Sequence, residues 1–553
     1  MMKAPFKSHT ILSFLLLISL VILFVQYQFT TSIIVEASSP KYEGAFIYEF
    51  DVNEDGDAHV KIIYKSSLPR GSSWLLVPKF IDWTNRTVRG NLLNWMINDS
   101  EYYFYKVLSF NFISESTGFE IIIEYDFPLA AIVVESESPH GIFYSPQIGF
   151  KSGNYFEAII IFPGRFRART NEAIALGSRG TYTADRNSDT NRILFKNIPS
   201  DENFLRIQIG FDLIYDKADI ITLRNGIFEF ITVTRYEKYA QKIIDFYNAT
   251  YDTLINIFNV TLDHARVRFF ISDFYTLMTI GGYIPFSEGE QLGDIYINMI
   301  FMRYVEGYLE VIALHELIHH FMWRAEISPG KLLWFHEGVA QFISIEIAES
   351  MGYDGATIIK KEIHENIKIL DLSEKSNLGF LKEWTPYYAP EETGVLYTSS
   401  YYIISNLAEE NGGLKYYAEL FKLLRGKRLE SNAILCYYLS LAANRSLFDK
   451  FNSWGFNLPD IYAYRSLIVD VEEAISSISL TNPFLYPFRK IAELLYSIAL
   501  SDKSSLDNAY LSLEAALFIA KNARLIALIT YLCTLFLIVF LLISRSNKRE
   551  VRT

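Results

Sequence analysis

From about residue 44 to 213, apolar and polar positions alternate in short runs, the period-2 signature of strands with one face in a core. Residues 45–50, 59–64, 119–124, 155–162 and 204–211 are the clearest runs. They are rich in β-branched and aromatic side chains and separated by Gly, Pro, Asn and Asp. This pattern predicts an antiparallel β-sandwich. Past residue 225 the period lengthens: 235–258 repeats as a helix, 265–271 and 294–298 read as strands, and helices dominate from Val305. Residues 400–520 read as consecutive helices, broken at Gly412-Gly413, Gly426, Asn457 to Pro459 and Pro483 to Pro487.

Two apolar runs are longer. Residues 11–25 follow Lys3 and Lys7, the charged start and short apolar stretch of a secretory signal. Val35-Glu36-Ala37 suits cleavage after Ala37, but it lies well past the run, so an uncleaved signal anchor fits the same residues. Residues 525–544 are about as long as one bilayer-spanning helix. Arg545, Lys548, Arg549 and Arg552 follow, with only Lys521 and Arg524 just before. By the positive-inside rule the C-terminus is cytoplasmic and residues 40–520 face outward. Five Asn-x-Ser/Thr triplets, at Asn85, Asn98, Asn248, Asn259 and Asn444, agree with an external face.

Half of the 553 residues are hydrophobic, which excludes a mainly disordered chain. The formal net charge of -12, with no strongly basic stretch to offset it, argues against a nucleic-acid partner. Cys436 and Cys533 are the only cysteines, and the second lies in the C-terminal apolar run, so neither a disulfide nor a thiolate zinc site is expected. Asp51-Val52-Asn53-Glu54-Asp55-Gly56-Asp57 imitates the start of a calcium loop. Its twelfth position is Ile62 rather than Glu, and Asp-Gly between two strand patterns signals a hairpin turn.

The chemistry is concentrated in two apolar helical stretches. In the first, His315-Glu316-Leu317-Ile318-His319, the histidines are one helical turn apart and leave the same face. Two imidazoles so placed can take two corners of a tetrahedral zinc site, and Glu316 is placed to act on a water as general base. Apolar neighbours on both sides require that buried charge here find a partner or a metal. After a break at Ser328-Pro329-Gly330, the second stretch carries one carboxylate near its start, Glu337. A short turn would return it beside the first helix, where Glu337 completes three protein ligands and leaves a position for water.

With Trp334-Phe335-His336-Glu337-Gly338, the first stretch resembles the signature of the gluzincin zinc peptidases, especially the aminopeptidase N group. Seventeen residues, 320 to 336, separate His319 from Glu337, one fewer than in that family. The resemblance covers roughly 225–455 well, the β-rich region more loosely, and the last hundred residues not at all. It implies a thermolysin-like catalytic domain, Zn2+ as cofactor and a peptide or protein substrate. It also implies a tyrosine that hydrogen-bonds the oxyanion of the tetrahedral intermediate. Tyr397, sixty residues after Glu337, fits best by spacing, with Tyr401 and Tyr402 as alternatives.

The group's upstream Gly-x-Met-Glu-Asn stretch, whose Glu binds a free amine, is matched here by Gly281-Gly282-Tyr283-Ile284-Pro285. No acid stands in that match, and Glu288 and Glu290 lie nearby but outside it. An endopeptidase is therefore as compatible as an exopeptidase. The strand at 294–298 is expected to pair with an extended peptide. His336 is a candidate substrate contact, His320 a packing or solvated residue, and His9, His59, His140, His264 and His364 lack ligand-like spacing.

The organisation expected is an α+β multidomain chain: signal peptide or anchor (1–39), β-sandwich (40–220), gluzincin-like zinc peptidase domain (221–455), helical region (456–524), transmembrane helix (525–544) and basic cytoplasmic tail (545–553). The competing reading is a catalytically silent surface protein that keeps this scaffold for binding or assembly. All three ligands and the base are present, which counts against it. Two terminal spans alone cannot build a translocation path.

Overall fold

The computed structural model describes residues 42–550 apart from 101, 103, 115–117, 135–138, 197, 215–218, 273–279, 286–291, 304, 374, 428 and 430. The expectations for residues 1–39, for Glu288 and Glu290, and for Arg552 fall outside the described residues.

The chain is α+β, with its strands first and its helices after. A six-stranded sheet runs in the order Arg192–Phe195, Tyr155–Ile161, Ala45–Val52, Ala58–Ser66, Phe119–Phe127, Thr84–Arg89. A seven-stranded sheet shares its core, where Phe50 and Phe156 of the first sheet meet Phe143 of the second and Phe150, which follows its Ile148–Gly149 strand. One pairing departs from the expected antiparallel pattern: Ala45–Val52 runs parallel to Tyr155–Ile161. Parallel neighbours need a long crossover. Residues 53–154 supply it by visiting the other sheets before the chain returns. At the calcium-loop imitation Asn53 Oδ1 accepts the N–H groups of Asp55 and Asp57, 3.0 Å each, and Gly56 takes φ +94. This is an Asx-type hairpin turn.

A five-stranded sheet follows, ordered Ile220–Asn225, Phe228–Val233, Ala265–Phe270, Ile295–Asn298, Gly282–Tyr283. Helix α1 (Glu237–Phe258) buries Ile243, Ile244, Tyr247, Leu254 and Phe258 in the core beside it. Each such apolar side chain contributes roughly 2 kcal/mol. The strand Ile295–Asn298 is not free to take a peptide, because it is hydrogen-bonded on both sides. Among the described residues Gly282–Tyr283 is the edge instead.

Helices α2 (Tyr308–Arg324), α3 (Pro329–Ser350), α4 (Asp354–Ile369) and α5 (Thr393–Asn411) come next. They lead into α6 (Leu414–Leu423), α7 (Asn432–Ala442), α8 (Phe448–Ser453), α9 (Arg465–Ser476), α10 (Tyr486–Ala499), α11 (Leu506–Lys521) and α12 (Ala523–Glu550). The expected breaks recur here: α5 stops at Gly412 (φ +108), and Pro487 lies in the first turn of α10. Within α12, Ala523–Leu542 is long and apolar enough to cross a membrane, and only 6% of it is buried against the rest of the chain. All five Asn-x-Ser/Thr asparagines are exposed.

Candidate functional site

Helix α2 contains no Pro or Gly and opens with the Glu310 carboxylate accepting the N–H of Gly307, 2.9 Å. That bond satisfies one of the donors that a helix start leaves unpaired. Tyr247 of α1 donates its hydroxyl to the Ala313 carbonyl at 2.7 Å and ties α2 to α1. On this fixed helix the His315 and His319 rings stand 4.9 Å apart at 82°.

Residues 325–328 turn the chain, with Glu326 in the left-handed region at φ +61. The break lies here and not at Pro329-Gly330, which form the first turn of α3; a proline's fixed φ suits that place. A kink at Leu332 (φ -134, ψ 44) then redirects the helix. His336 fastens it by bonding from Nε2 to the Ile327 carbonyl at 2.9 Å, and Trp334 Nε1 donates to Asn432 Oδ1 at 2.8 Å.

This turn aims Glu337 at α2. Its Oε2 lies 3.0 Å from His315 Nε2 and 3.5 Å from His319 Nε2, and one ligand atom from each of the three residues falls within 4.8 Å of the others. Two ligand atoms bound 2.0–2.1 Å from one tetrahedral ion sit about 3.3 Å apart. The two carboxylate–imidazole separations bracket that value, so the donor set fits zinc. Burial works to raise the Glu337 pKa, but the imidazoles of His319 and His315 outweigh it and hold the carboxyl well below its usual range.

Glu316 has a different environment. It is 6% exposed, and burial first, then repulsion from Glu337, push its pKa up to about 8 against the pull of His319. Against it lies the edge strand: a Cβ on Gly282 would come within 2.7 Å of Glu316 Cγ and Oε1. Only glycine allows the strand to lie this close.

A second glycine positions the tyrosine. A Cβ on Gly338 would lie 2.8 Å from the Ser400 carbonyl oxygen and 2.7 Å from Ile404 Cγ1, so its absence lets α3 and α5 touch backbone to side chain. One turn before Ser400, the Tyr397 ring centres 6.5 Å from that of His315. Burial, then Glu337 and Glu316, raise its pKa well above the ordinary value. The alternatives face elsewhere: Tyr401 packs on Phe342 and His364, Tyr402 on Trp454.

His315, Glu316 and Tyr397 line a cavity of about 760 Å³. One wall comes from the edge strand at Gly281 and Gly282, another from α4 through Ile359, Glu362, Ile363 and Asn366. The β-rich region closes it with Tyr105, Gln147 and Arg206. Nothing in the sequence pattern announced these last residues.

His336 does not reach the cavity. It is 2% exposed, stacks on the His319 ring at 5.7 Å, and burial pushes its pKa down to about 3. It is a neutral brace behind a candidate ligand. His320 is half-buried, and burial lowers it to about 4. His59, His264 and His364 pair with Asp126, Glu229 and the Lys360 carbonyl, away from the site.

Fold and site together define an α+β chain with a buried His-His-Glu group able to hold a metal ion. Among solved structures the chain is similar to yeast LTA4 hydrolase in complex with bestatin, at 14% identity over 88% of this chain and 85% of that one, with a TM-score of 0.32. It is also similar to native yeast LTA4 hydrolase, at 13% identity over 86% and 82%, with a TM-score of 0.31. No protein-family model and no curated protein matches it. Scores of this size leave the functional reading to rest on the residues themselves.

Proposed function

We propose that this chain is a membrane-anchored zinc metallopeptidase whose catalytic part lies outside the cytoplasm, with His315, His319 and Glu337 as metal ligands. The observation that carries the reading is the convergence of the His315 and His319 imidazoles on the Glu337 carboxylate, with His315, Glu316 and Tyr397 lining one cavity. Bound zinc supplies Lewis acidity toward a water and a scissile carbonyl. Glu316 is the general base: its carboxylate, buried beside the Gly282 edge strand, takes a proton from the attacking water and passes it to the leaving amine. Tyr397 donates a hydrogen bond to the carbonyl oxygen as negative charge develops there. The substrate is a peptide, with the Gly282–Tyr283 edge available to bind it as an added strand.

The proposed division of the chain is that set out from the sequence, with 40–220 as a β domain, 221–455 as the peptidase domain and 456–524 as a helical region. The C-terminal helix spans the membrane, and Arg545, Lys548 and Arg549 beyond it orient the C-terminus to the cytoplasm. The test is digestion of a peptide library by wild type and Glu316→Gln, using free and N-acetylated peptides, with zinc measured in both proteins. Loss of all cleavage with zinc retained supports the mechanism. Unchanged cleavage refutes it, and cleavage of acetylated peptides assigns endopeptidase activity.

A further inference from the structure

The turn between α9 and α10 exposes apolar side chains with no covering element among the described residues: Leu480 and Phe484 are each 60% exposed and Tyr486 43%. No charged residue occurs from 474 to 488. The Phe484 ring meets Tyr531 of α12 edge-on at 5.2 Å, and the Tyr531 hydroxyl donates to the Phe484 carbonyl at 3.3 Å. The turn is therefore fixed against the span itself.

Helix length sets the depth of that contact. Tyr531 lies six residues past Leu525, about 9 Å along the helix. If the bilayer began only after Tyr531, residues 532–544 would remain, about 20 Å of helix. A hydrocarbon core of roughly 30 Å needs more than that. The Tyr531–Phe484 contact must then lie inside the lipid, and the turn with it.

The turn is also built to enter lipid at low cost. Asn482 Oδ1 accepts the Phe484 N–H at 3.0 Å, and the Asn482 carbonyl accepts those of Leu485 and Tyr486. Ser479 and Thr481 bond each other, and Arg489 donates to the Ile478 carbonyl. Polar groups already paired internally carry a smaller penalty in hydrocarbon.

We infer that the turn around Leu480, Phe484 and Tyr486 is a second membrane contact, dipping into the leaflet on the domain's side and fixing how the domain stands on the bilayer. The inference rests on α12 spanning the membrane, so its test separates the two. In the full chain carrying Cys533→Ser, Cys436 stays buried, and Phe484→Cys, Val539→Cys and the exposed Ile369→Cys are labelled singly with the environment-sensitive fluorophore NBD. The proteins are placed in phosphatidylcholine nanodiscs with and without doxyl-labelled lipid. The expected result is blue-shifted emission quenched by doxyl lipid at 484 and 539, several-fold more than at 369. Quenching at 539 with a water-like signal at 484 overturns the inference and leaves the span intact. A blue shift at 484 without lipid quenching means a protein covers the turn, and also overturns it. An unquenched 539 overturns the span and this inference together.

Discussion

Glu337 Oε2 lies 3.0 Å from His315 Nε2, although the two residues sit on different helices joined by a four-residue turn. Two imidazoles and one carboxylate brought this close out of water need a proton or a cation between them. Zinc is therefore expected to bind at one equivalent and to raise the thermal midpoint. At a hundredfold excess over Kd the gain is about 2.7 kcal/mol. His315→Ala and Glu337→Ala should lose both the bound metal and the zinc-dependent shift, read by metal analysis and thermal melts. An equal shift in those variants would move the metal elsewhere.

Tyr397→Phe keeps the ring that packs near His315 and Trp384 and removes only the hydroxyl. A donor that acts on developing charge changes kcat more than KM. The expected loss in kcat is about 10²–10³-fold, the range for one oxyanion donor. Tyr401→Phe and Tyr402→Phe should stay near wild type, because their rings pack away from the metal group. Steady-state kinetics on a peptide found by library digestion decides it, and an equal loss in all three would remove Tyr397 from its role.

Gly282→Ala forces a methyl to within 2.7 Å of Glu316, a contact that real Cβ atoms essentially never make. Either the edge strand or the Glu316 carboxylate must shift, and misplacement by about 1 Å can cost on the order of 10²-fold in rate. Zinc content should be unchanged, since the atoms nearest the added methyl all belong to Glu316 and not to a ligand. The atoms nearest a Cβ on Gly281 are those of the Ile312 side chain at 3.1–3.3 Å, so Gly281→Ala is expected to be milder. Full activity in Gly282→Ala would detach the edge strand from the reaction.

The parts of this arrangement that could be read from sequence are those set by local geometry. His315 and His319 share a face because a helix turns every 3.6 residues, and Glu337 returns to them because the connection is too short to go elsewhere. The four-residue connection, 325–328, brings the three side chains together. Long-range relations were not legible. The parallel pairing of Ala45–Val52 with Tyr155–Ile161 depends on a partner over a hundred residues away, and the interior place of Ile295–Asn298 depends on strand order. Sequence spacing also left three tyrosines in play. The close approach of Gly338 to Ser400 separates them, and it involves residues sixty-two positions apart.

Glu362 provides a test of the cavity that does not depend on the metal. It lies on the face of α4 formed by Ile359, Glu362, Ile363 and Asn366, spaced three and four apart along the cavity wall. Burial raises its pKa from 4.5 to about 7, with repulsion from Glu365 adding to the rise and Lys79 opposing it. A carboxyl whose folded pKa exceeds its unfolded value binds more protons when folded. Its contribution is complete below pH 4.5 and is lost as pH climbs through 7. Glu362→Gln cannot ionise and so escapes this loss. The melting temperature of the variant minus that of wild type should grow from pH 5 to pH 8, with a ceiling of about 3 kcal/mol in stability. A difference that is flat, or that shrinks as pH rises, would mean that the Glu362 carboxylate is solvated and that α4 does not close the cavity.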